Sequence, residues 1–304
     1  MARALPLAKV APRVRPRWRT WLGYLFVLPA LTLHLVVVGL PALAALLLSL
    51  FDWDGLRTPR FVGLANFQEL LWQDQVFWNA FVNNLRWTVV FVTLPVLFGL
   101  LVAVALSSVD RLRTFYRTIY FLPYVFASVV VARIFGFIYH PFYGVNLLLK
   151  NWGLDFLAQS WLGDPDVALY SVMAADVWHF WGFDMMVFLS ALQQIDRSLY
   201  EAAAIDGAGA GRRFWHVTVP LLRPTFAFVL LITALWSFLT FDYVYLMTSG
   251  GPAHSTELMV TWIIGQTIEA RRAGYASALA VMLTLLSSVF IAAFIYMRRR
   301  GWEV

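Results

Sequence analysis

Six long apolar runs, each separated from the next by a polar or glycine-bearing stretch, set the plan of this 304-residue chain. They cover 22–51, 81–109, 116–139, 168–193, 222–248 and 275–297. Each is long enough for a helix to cross about 30 Å of hydrocarbon. The pattern therefore predicts an all-α polytopic membrane protein with six transmembrane helices. A basic start (Arg3, Lys9, Arg13, Arg15, Arg17, Arg19) precedes the first run, but that run is too long for a signal peptide and holds no evident small-residue cleavage site. It reads as a span broken near Pro29 and Pro41. Residues 52–80 are mixed in charge, and Phe67, Leu70, Leu71, Phe77, Trp78 and Phe81 fall near helical spacing, which predicts an interfacial helix. The division is thus a basic tail (1–21), a first spanning helix (22–51), an external loop with its interfacial helix (52–80), a five-helix core (81–297) and a short C-terminus (298–304).

The longest polar, glycine-rich interruption between two strongly apolar runs is 201–224, EAAAIDGAGAGRRFWHVTVPLLRP. Ser198-Leu199-Tyr200-Glu201 has the spacing of a capping box and predicts a short helix from near Leu199. Gly207, Gly209 and Gly211 stop it, because glycine accepts the positive φ of a turn and weakens a helix interior. A second short helix over 212–219 follows, with Pro220 and Pro224 marking its end. The product is an elbow of two short helices at a membrane surface, Glu201 on one arm and Arg212 and Arg213 on the other.

Composition agrees with this plan. At 61% hydrophobic and 13% charged, with mean hydropathy +0.71, the chain does not suit a soluble globular domain. Fourteen Trp and twelve Tyr fit aromatic belts at the two membrane interfaces. The absence of Cys excludes disulfides and thiolate metal sites. A net charge of +6 would point to nucleic acid in a soluble chain, but its distribution points to topology. Sixteen Lys/Arg fall on one side: six in the tail, then Arg111, Arg113, Arg117, Arg197, Arg212, Arg213, Arg223 and Arg298 to Arg300. Only Arg57, Arg60, Lys150, Arg271 and Arg272 fall on the other. Positive residues stay inside, so both termini and the elbow are expected in the cytoplasm.

Several motifs within this plan resemble a known family. Tyr200-Glu201-Ala202-Ala203, Asp206-Gly207-Ala208 and Pro220-Leu221-Leu222-Arg223-Pro224 look like the EAA loop of the transmembrane subunits of ATP-driven, binding-protein-dependent (ABC) importers. The likeness is to the carbohydrate-uptake branch, in the subunit type exemplified by the first permease of maltose, lactose or glycerol-phosphate systems. GYLFVLPA (23–30), FVGLANF (61–67), RTIYFLP (117–123), Phe241-Asp242 through Gly250-Gly251-Pro252, and GYASA (274–278) carry it across essentially the whole chain.

The resemblance implies a type I importer permease in a bacterial or archaeal cytoplasmic membrane, forming half of a translocation pathway. It implies four kinds of partner: a second permease of related but different sequence, a pair of cytoplasmic ATPases, an external solute-binding protein, and membrane lipid. Glu201, Ala202, Ala203, Asp206, Gly207 and Pro220 match the loop that docks into a groove on the ATPase. A partly buried carboxylate such as Glu201, paired with a partner cation, suits that contact; truncating one member of such a pair costs about 2–5 kcal/mol. ATP and Mg belong to the partner, and this chain is expected to need no cofactor of its own.

No catalytic signature competes. The only lysines, Lys9 and Lys150, do not follow a G-x-x-x-x-G run, so there is no P-loop. GAGAG (207–211) lacks a preceding strand and the dinucleotide spacing, and no H-E-x-x-H pattern occurs. The five His residues are scattered, so no metal site is expected. The chain is expected to be a transport subunit, not an enzyme.

Polar groups inside spans are expensive and usually face a cavity or a partner helix. In the fourth run Asp176, His179, Phe180 and Phe183 share one helical face. Counting back from the EAA glutamate, the family's solute pocket falls on this region, and the fifth-run equivalents are Thr233, Trp236, Ser237 and Thr240. Aromatic rings beside carboxylates and hydroxyls suit a sugar, although helix packing accounts for any one of these residues singly. Arg133, inside the third run, binds an anionic solute, pairs with Asp176, Asp184 or Asp242, or snorkels to the outer interface. Two other classes remain as alternatives: a secondary transporter driven by an ion gradient, which the intramembrane acids suggest, and an intramembrane enzyme or receptor subunit. Neither accounts for the elbow.

Overall fold

A computed structural model describes residues 18–109 and 111–300, with side-chain surroundings from Tyr24 onward. Most of the basic tail, Asp110 and the last four residues lie outside the described residues. Contacts divide the chain into two units, one ending at Leu47 and the other beginning at Leu48.

The first unit carries the first apolar run. It holds α1 (Trp18–His34), a π-type turn (Leu35–Gly39) and α2 (Leu40–Leu48), whose last residue opens the second unit. The expected breaks near Pro29 and Pro41 do not occur: Pro29 lies inside α1, and the helical path passes through Pro41. Proline lacks an N–H, and the path absorbs Pro41 by widening just before it, with the Leu40 N–H reaching back to the Leu35 carbonyl.

The second unit opens with two antiparallel two-residue strands, β1 (Phe51–Asp52) and β2 (Arg60–Phe61), Phe51 opposite Phe61. Next come α3 (Ala65–Trp72), α4 (Gln75–Ser107), α5 (Arg113–Val125), α6 (Ser128–Ile138) and α7 (Gly144–Asn151). They are followed by α8 (Ala168–Leu192), α9 (Arg197–Ile205), α10 (Ala210–Arg213), α11 (Val219–Leu221) and α12 (Arg223–Leu239). The last three are α13 (Asp242–Met247), α14 (Met259–Ile264) and α15 (Ala273–Arg299). Among the described residues, five helical segments are long and apolar enough to cross a membrane; α5 and α6, bent by 90° at their junction, make the sixth if they form one span.

Two predicted elements change. The interfacial helix of 52–80 is instead the short α3 followed by the first turns of α4, with Asp74 capping α4 by accepting the Phe77 N–H. Leu70 and Phe77 are buried against Phe238, Met259, Tyr275 and Leu279, so this stretch packs on the bundle. The third run is not one straight helix. Pro123 removes a rung in the last turn of α5, and Phe126 and Ala127 are extended (ψ 148° and 141°) before α6 turns away.

The core lies along the seam between α4 and α8. Trp87 and Phe91 of α4 meet Leu169, Val172, Met173 and Phe180 of α8 at one level. Val96, Leu100 and Ala103 meet Met185, Phe188 and Leu189 at another. In lipid, apolar packing has little hydrophobic drive, so buried polar contacts carry more of the specificity. Asn84 is fully buried; its amide donates to the Phe238 carbonyl and its oxygen accepts the Met259 N–H at 2.8 Å. Asn83 donates to the carbonyls of Ser255 and Glu257. One turn of α4 thus fastens α12 and the segment leading into α14.

Candidate functional site

Two helix breaks meet at one place. The first separates α5 from α6 at Phe126 and Ala127. The second separates α12 from α13 at Thr240 and Phe241, where Thr240 is extended (ψ 131°). α6 and α13 pack on each other, and Ser128, in the first turn of α6, donates its hydroxyl to Asp242, the first residue of α13. Backbone groups freed by such breaks are tolerated at membrane depth only where protein or a polar cavity satisfies them.

His179 of α8 does part of this. Its Nε2 lies 3.0 Å from the Phe126 carbonyl oxygen, and its Nδ1 lies 2.8 Å from the Tyr243 hydroxyl. A carbonyl oxygen can only accept, so the hydrogen-bond network places the proton on Nε2, and Nδ1 accepts the Tyr243 O–H. One imidazole therefore ties the end of α5 to α13. Tyr124 stacks on the same ring at 5.7 Å.

Between these elements lies a cavity of about 420 Å³. Its aromatic wall is Phe91, Tyr124, Phe180, Trp236 and Phe241, with Phe180 5.3 Å from both Phe91 and Trp236 between ring centres. Its polar groups are Ser128, Asp176, His179, Thr240, Asp242 and Tyr243. The volume is in the range of small-molecule sites, and a mainly apolar lining with a few placed polar groups is their usual composition.

Of the eight pathway residues expected from the sequence, the structure brings Asp176, His179, Phe180, Trp236 and Thr240 to this cavity. Phe183 lines a separate cleft of about 960 Å³ beside Phe121, Met186 and Phe228. Thr233 and Ser237 are fully buried in the bundle: the Thr233 hydroxyl donates to the Val229 carbonyl, and the Ser237 hydroxyl to Thr88 and the Ala234 carbonyl. Their polarity serves helix packing. Sequence reasoning did not place Phe91, Tyr124 or Ser128 here, because they come from α4 and the broken third span, outside the two runs flanking the elbow. Pro123 was the available signal for Tyr124 and Ser128. Arg133 is exposed on α6 and makes no ion pair with Asp176, Asp184 or Asp242.

The elbow is built as two arms on one turn. α9 starts at Arg197, capped by the Asp196 carboxylate accepting the Ser198 N–H, so Asp196 takes the capping role expected of Ser198. That bond holds the Asp196 carboxyl below the ordinary carboxylate range. Gly207 then closes α9 at φ +78°. Its N–H reaches the Ala204 carbonyl and the next N–H, Ala208, reaches Ala203, the paired bonds of a left-handed helix stop. The second arm runs from Ala210 to Leu221 through a π-type turn, longer than the predicted 212–219 and with Pro220 inside it. Pro224 sits instead in the first turn of α12. The Tyr200 and Thr218 hydroxyls, 3.0 Å apart, bridge the arms. Glu201, Ala202 and Asp206 are exposed, and Ala203 and Pro220 are half-buried. Ile205, at the tip, is 87% exposed. Glu201 shares a cleft of about 970 Å³ with Arg113, Arg197 and Arg213.

The comparisons agree with this architecture. Residues 95–301 match the family described as the inner membrane component of binding-protein-dependent transport systems. The probable ABC transporter permease protein YurN of Bacillus subtilis is 36% identical over 87% of this chain and 91% of its own length. The lactose transport system permease protein LacF of Rhizobium radiobacter is 34% identical over 88% and 90%. A chain from the crystal structure of a bacterial ABC transporter involved in the import of the acidic polysaccharide alginate superposes with a TM-score of 0.81. It is 26% identical and covers 93% of this chain and 97% of its own. With more than half the chain matched and relatives above 30% identity, the ion-gradient alternative falls away. The chain belongs to the family of binding-protein-dependent transport system inner membrane components, as a multi-pass permease subunit of an ABC importer.

Proposed function

We propose that the chain forms one half of the pathway by which a sugar or related polyol or sugar phosphate crosses the cytoplasmic membrane, passing through the cavity between the two helix breaks. The observation that carries this reading is the meeting of the breaks at 126–127 and 240–241 around five aromatic rings and several hydroxyl and carboxyl groups. Rings offer faces for the C–H surfaces of a saccharide while the polar groups take its hydroxyls. A relative named for lactose transport and a structural neighbour involved in alginate import support a saccharide. The separate cleft holding Phe183 reaches Leu199 and Leu221 of the elbow, and the solute's route continues through it along α8 and α12.

The other half of the pathway is a related but different permease, and a solute-binding protein delivers the solute from outside. The elbow, on the cytoplasmic side with both termini, is gripped by a separate ATPase that holds the nucleotide and Mg. Glu201, Ala202, Ala203, Asp206, Gly207 and Pro220 build the elbow's shape, and its exposed face (Glu201, Asp206, and the apolar tip Ile205) supplies the grip. ATP-driven closure moves the arms, and α8 and α12, which run directly into them, carry that motion to the cavity by rigid-body displacement.

The test is a screen of solute-stimulated ATP hydrolysis by the reconstituted transporter with its binding protein. Stimulation by a saccharide, polyol or sugar phosphate is expected, and loss of it in Trp236→Ala with hydrolysis intact. Stimulation confined to amino acids, peptides or metal ions contradicts the reading.

A further inference from the structure

Three arginines meet where the elbow joins the spans, and one carboxylate stands against them. Arg113 opens α5, Arg197 opens α9 and Arg213 closes α10. All three line the cleft of about 970 Å³ at the ends of α4 and α8, where Glu201 is the single acid. Among the described residues none of these four groups forms an ion pair. Arginine stays charged at any physiological pH, so the cleft carries an excess of positive charge.

The guanidinium of Arg113 is fixed by the chain: its Nε and one Nη donate to the carbonyls of Leu106 and Ser107, in the last turn of α4. A guanidinium carries five N–H groups, so Arg113 keeps donors for a ligand. The side chains of Arg197 and Arg213 donate to no described residue, and the Arg213 Nε is shielded from solvent as well. A shielded donor left unpaired costs stability, and an oxygen brought into the cleft removes that cost.

The remaining lining narrows the choice of oxygen. Guanidinium groups bind phosphate through paired, charge-assisted N–H···O bonds. Val104 and Leu192, in the last turns of α4 and α8, carry the apolar surface of the spans into the same cleft. A phosphate that brings an apolar tail answers both features, whereas a soluble phosphate answers only the arginines. Basic pockets at the cytoplasmic ends of transmembrane helices are where anionic headgroups bind. Of the elbow's grip residues only Glu201 reaches this cleft; Ile205 and Asp206 lie outside it.

We propose that the cleft holds the phosphate of an anionic phospholipid from the cytoplasmic leaflet, bracing the first turn of α5 against both arms of the elbow. The site lies apart from the solute cavity and is the same whichever solute is carried.

The test is native mass spectrometry of the complete transporter, released from nanodiscs of mixed phosphatidylcholine and phosphatidylglycerol. Wild type should retain phosphatidylglycerol selectively. Arg197→Gln combined with Arg213→Gln should bind it at least about tenfold more weakly. Arg299→Gln, which removes an exposed arginine outside the cleft, should change retention by less than about twofold. Equal retention by wild type and the double variant overturns the site. Gel filtration checks assembly: loss of the ATPase from the double variant also overturns it, because the cleft is then a contact for that subunit. Inorganic phosphate, titrated by calorimetry into transporter in phosphatidylcholine-only nanodiscs, should bind wild type no better than the double variant. Binding to wild type alone would assign the cleft to soluble phosphate and overturn the lipid.

Discussion

The imidazole of His179 closes the break between α5 and α6, its Nε2 3.0 Å from the Phe126 carbonyl oxygen, and the same ring holds Tyr243 of α13 at 2.8 Å. A residue expected from its helical face to contact solute thus spends both nitrogens on the protein. It is a positioning residue: it sets the distance between the two broken helices, and so the width of the cavity.

Its removal should therefore act on structure before it acts on solute. His179→Ala leaves the Phe126 carbonyl without its donor, which costs about 1–3 kcal/mol for a buried group. A lower melting temperature of the purified complex is expected, together with weaker uptake. Tyr243→Phe, which removes one hydrogen bond and leaves the ring, should cost about 1 kcal/mol and keep most of the transport. Unchanged melting in His179→Ala contradicts this role.

Gly207 tests the elbow's shape. Its φ of +78° lies in the left-handed region, and a Cβ there would meet nothing within 4 Å, so conformational strain is the whole penalty. Gly207→Val should strain the turn by about 1–2 kcal/mol and lower coupled uptake. Gly207→Asn, which adopts this conformation more readily, should retain more of it. Membrane insertion, measured by protein level in isolated membranes, should not change in either. Equal transport by the Val and Asn variants would show that the turn geometry does not matter.

Asn84 tests the buried clamp. Asn84→Ala strands the Phe238 carbonyl and the Met259 N–H inside the bundle, each worth about 1–3 kcal/mol when left unpaired. A clear drop in thermal stability in detergent is expected, larger than for removal of an equally buried apolar methyl group.

The cap of α9 has a defined pH range. Bonding to Ser198 lowers the Asp196 carboxyl from its ordinary 3.8. A depressed value in the fold means that its contribution is present above about 3.8 and is lost as pH falls through the lower folded value. Amide exchange at Ala202 to Ile205, corrected for its intrinsic pH dependence, should show constant protection between about pH 5 and 8. In Asp196→Ala that protection should fall across the same range.

The spans were readable because apolar length in a membrane protein has few other meanings, and Glu201 to Gly207 because the turn needs a residue that tolerates positive φ. The interior of the site was less readable for a specific reason. Thr233, Trp236, Ser237 and Thr240 recur at helical spacing, yet only Trp236 and Thr240 reach the cavity: Ser237 is turned to Thr88 of α4, and Thr233 is fully buried with its hydroxyl on the Val229 carbonyl. Which side α4 occupies is a tertiary fact that no periodicity carries. At the break, Pro123 was the one local signal: Phe126 and Ala127 read as ordinary members of an apolar run, and the group that satisfies the freed Phe126 carbonyl is a histidine 53 positions away.

Because the chain contains no cysteine, a single introduced one reports without background. Asp206→Cys, at the exposed turn of the elbow, tests the central claim most directly in whole cells and inverted vesicles that contain the ATPase. The account predicts modification by a membrane-impermeant maleimide in inverted vesicles only, and a nucleotide-dependent crosslink to the ATPase. Modification from outside intact cells, with no crosslink in any nucleotide state, would contradict it.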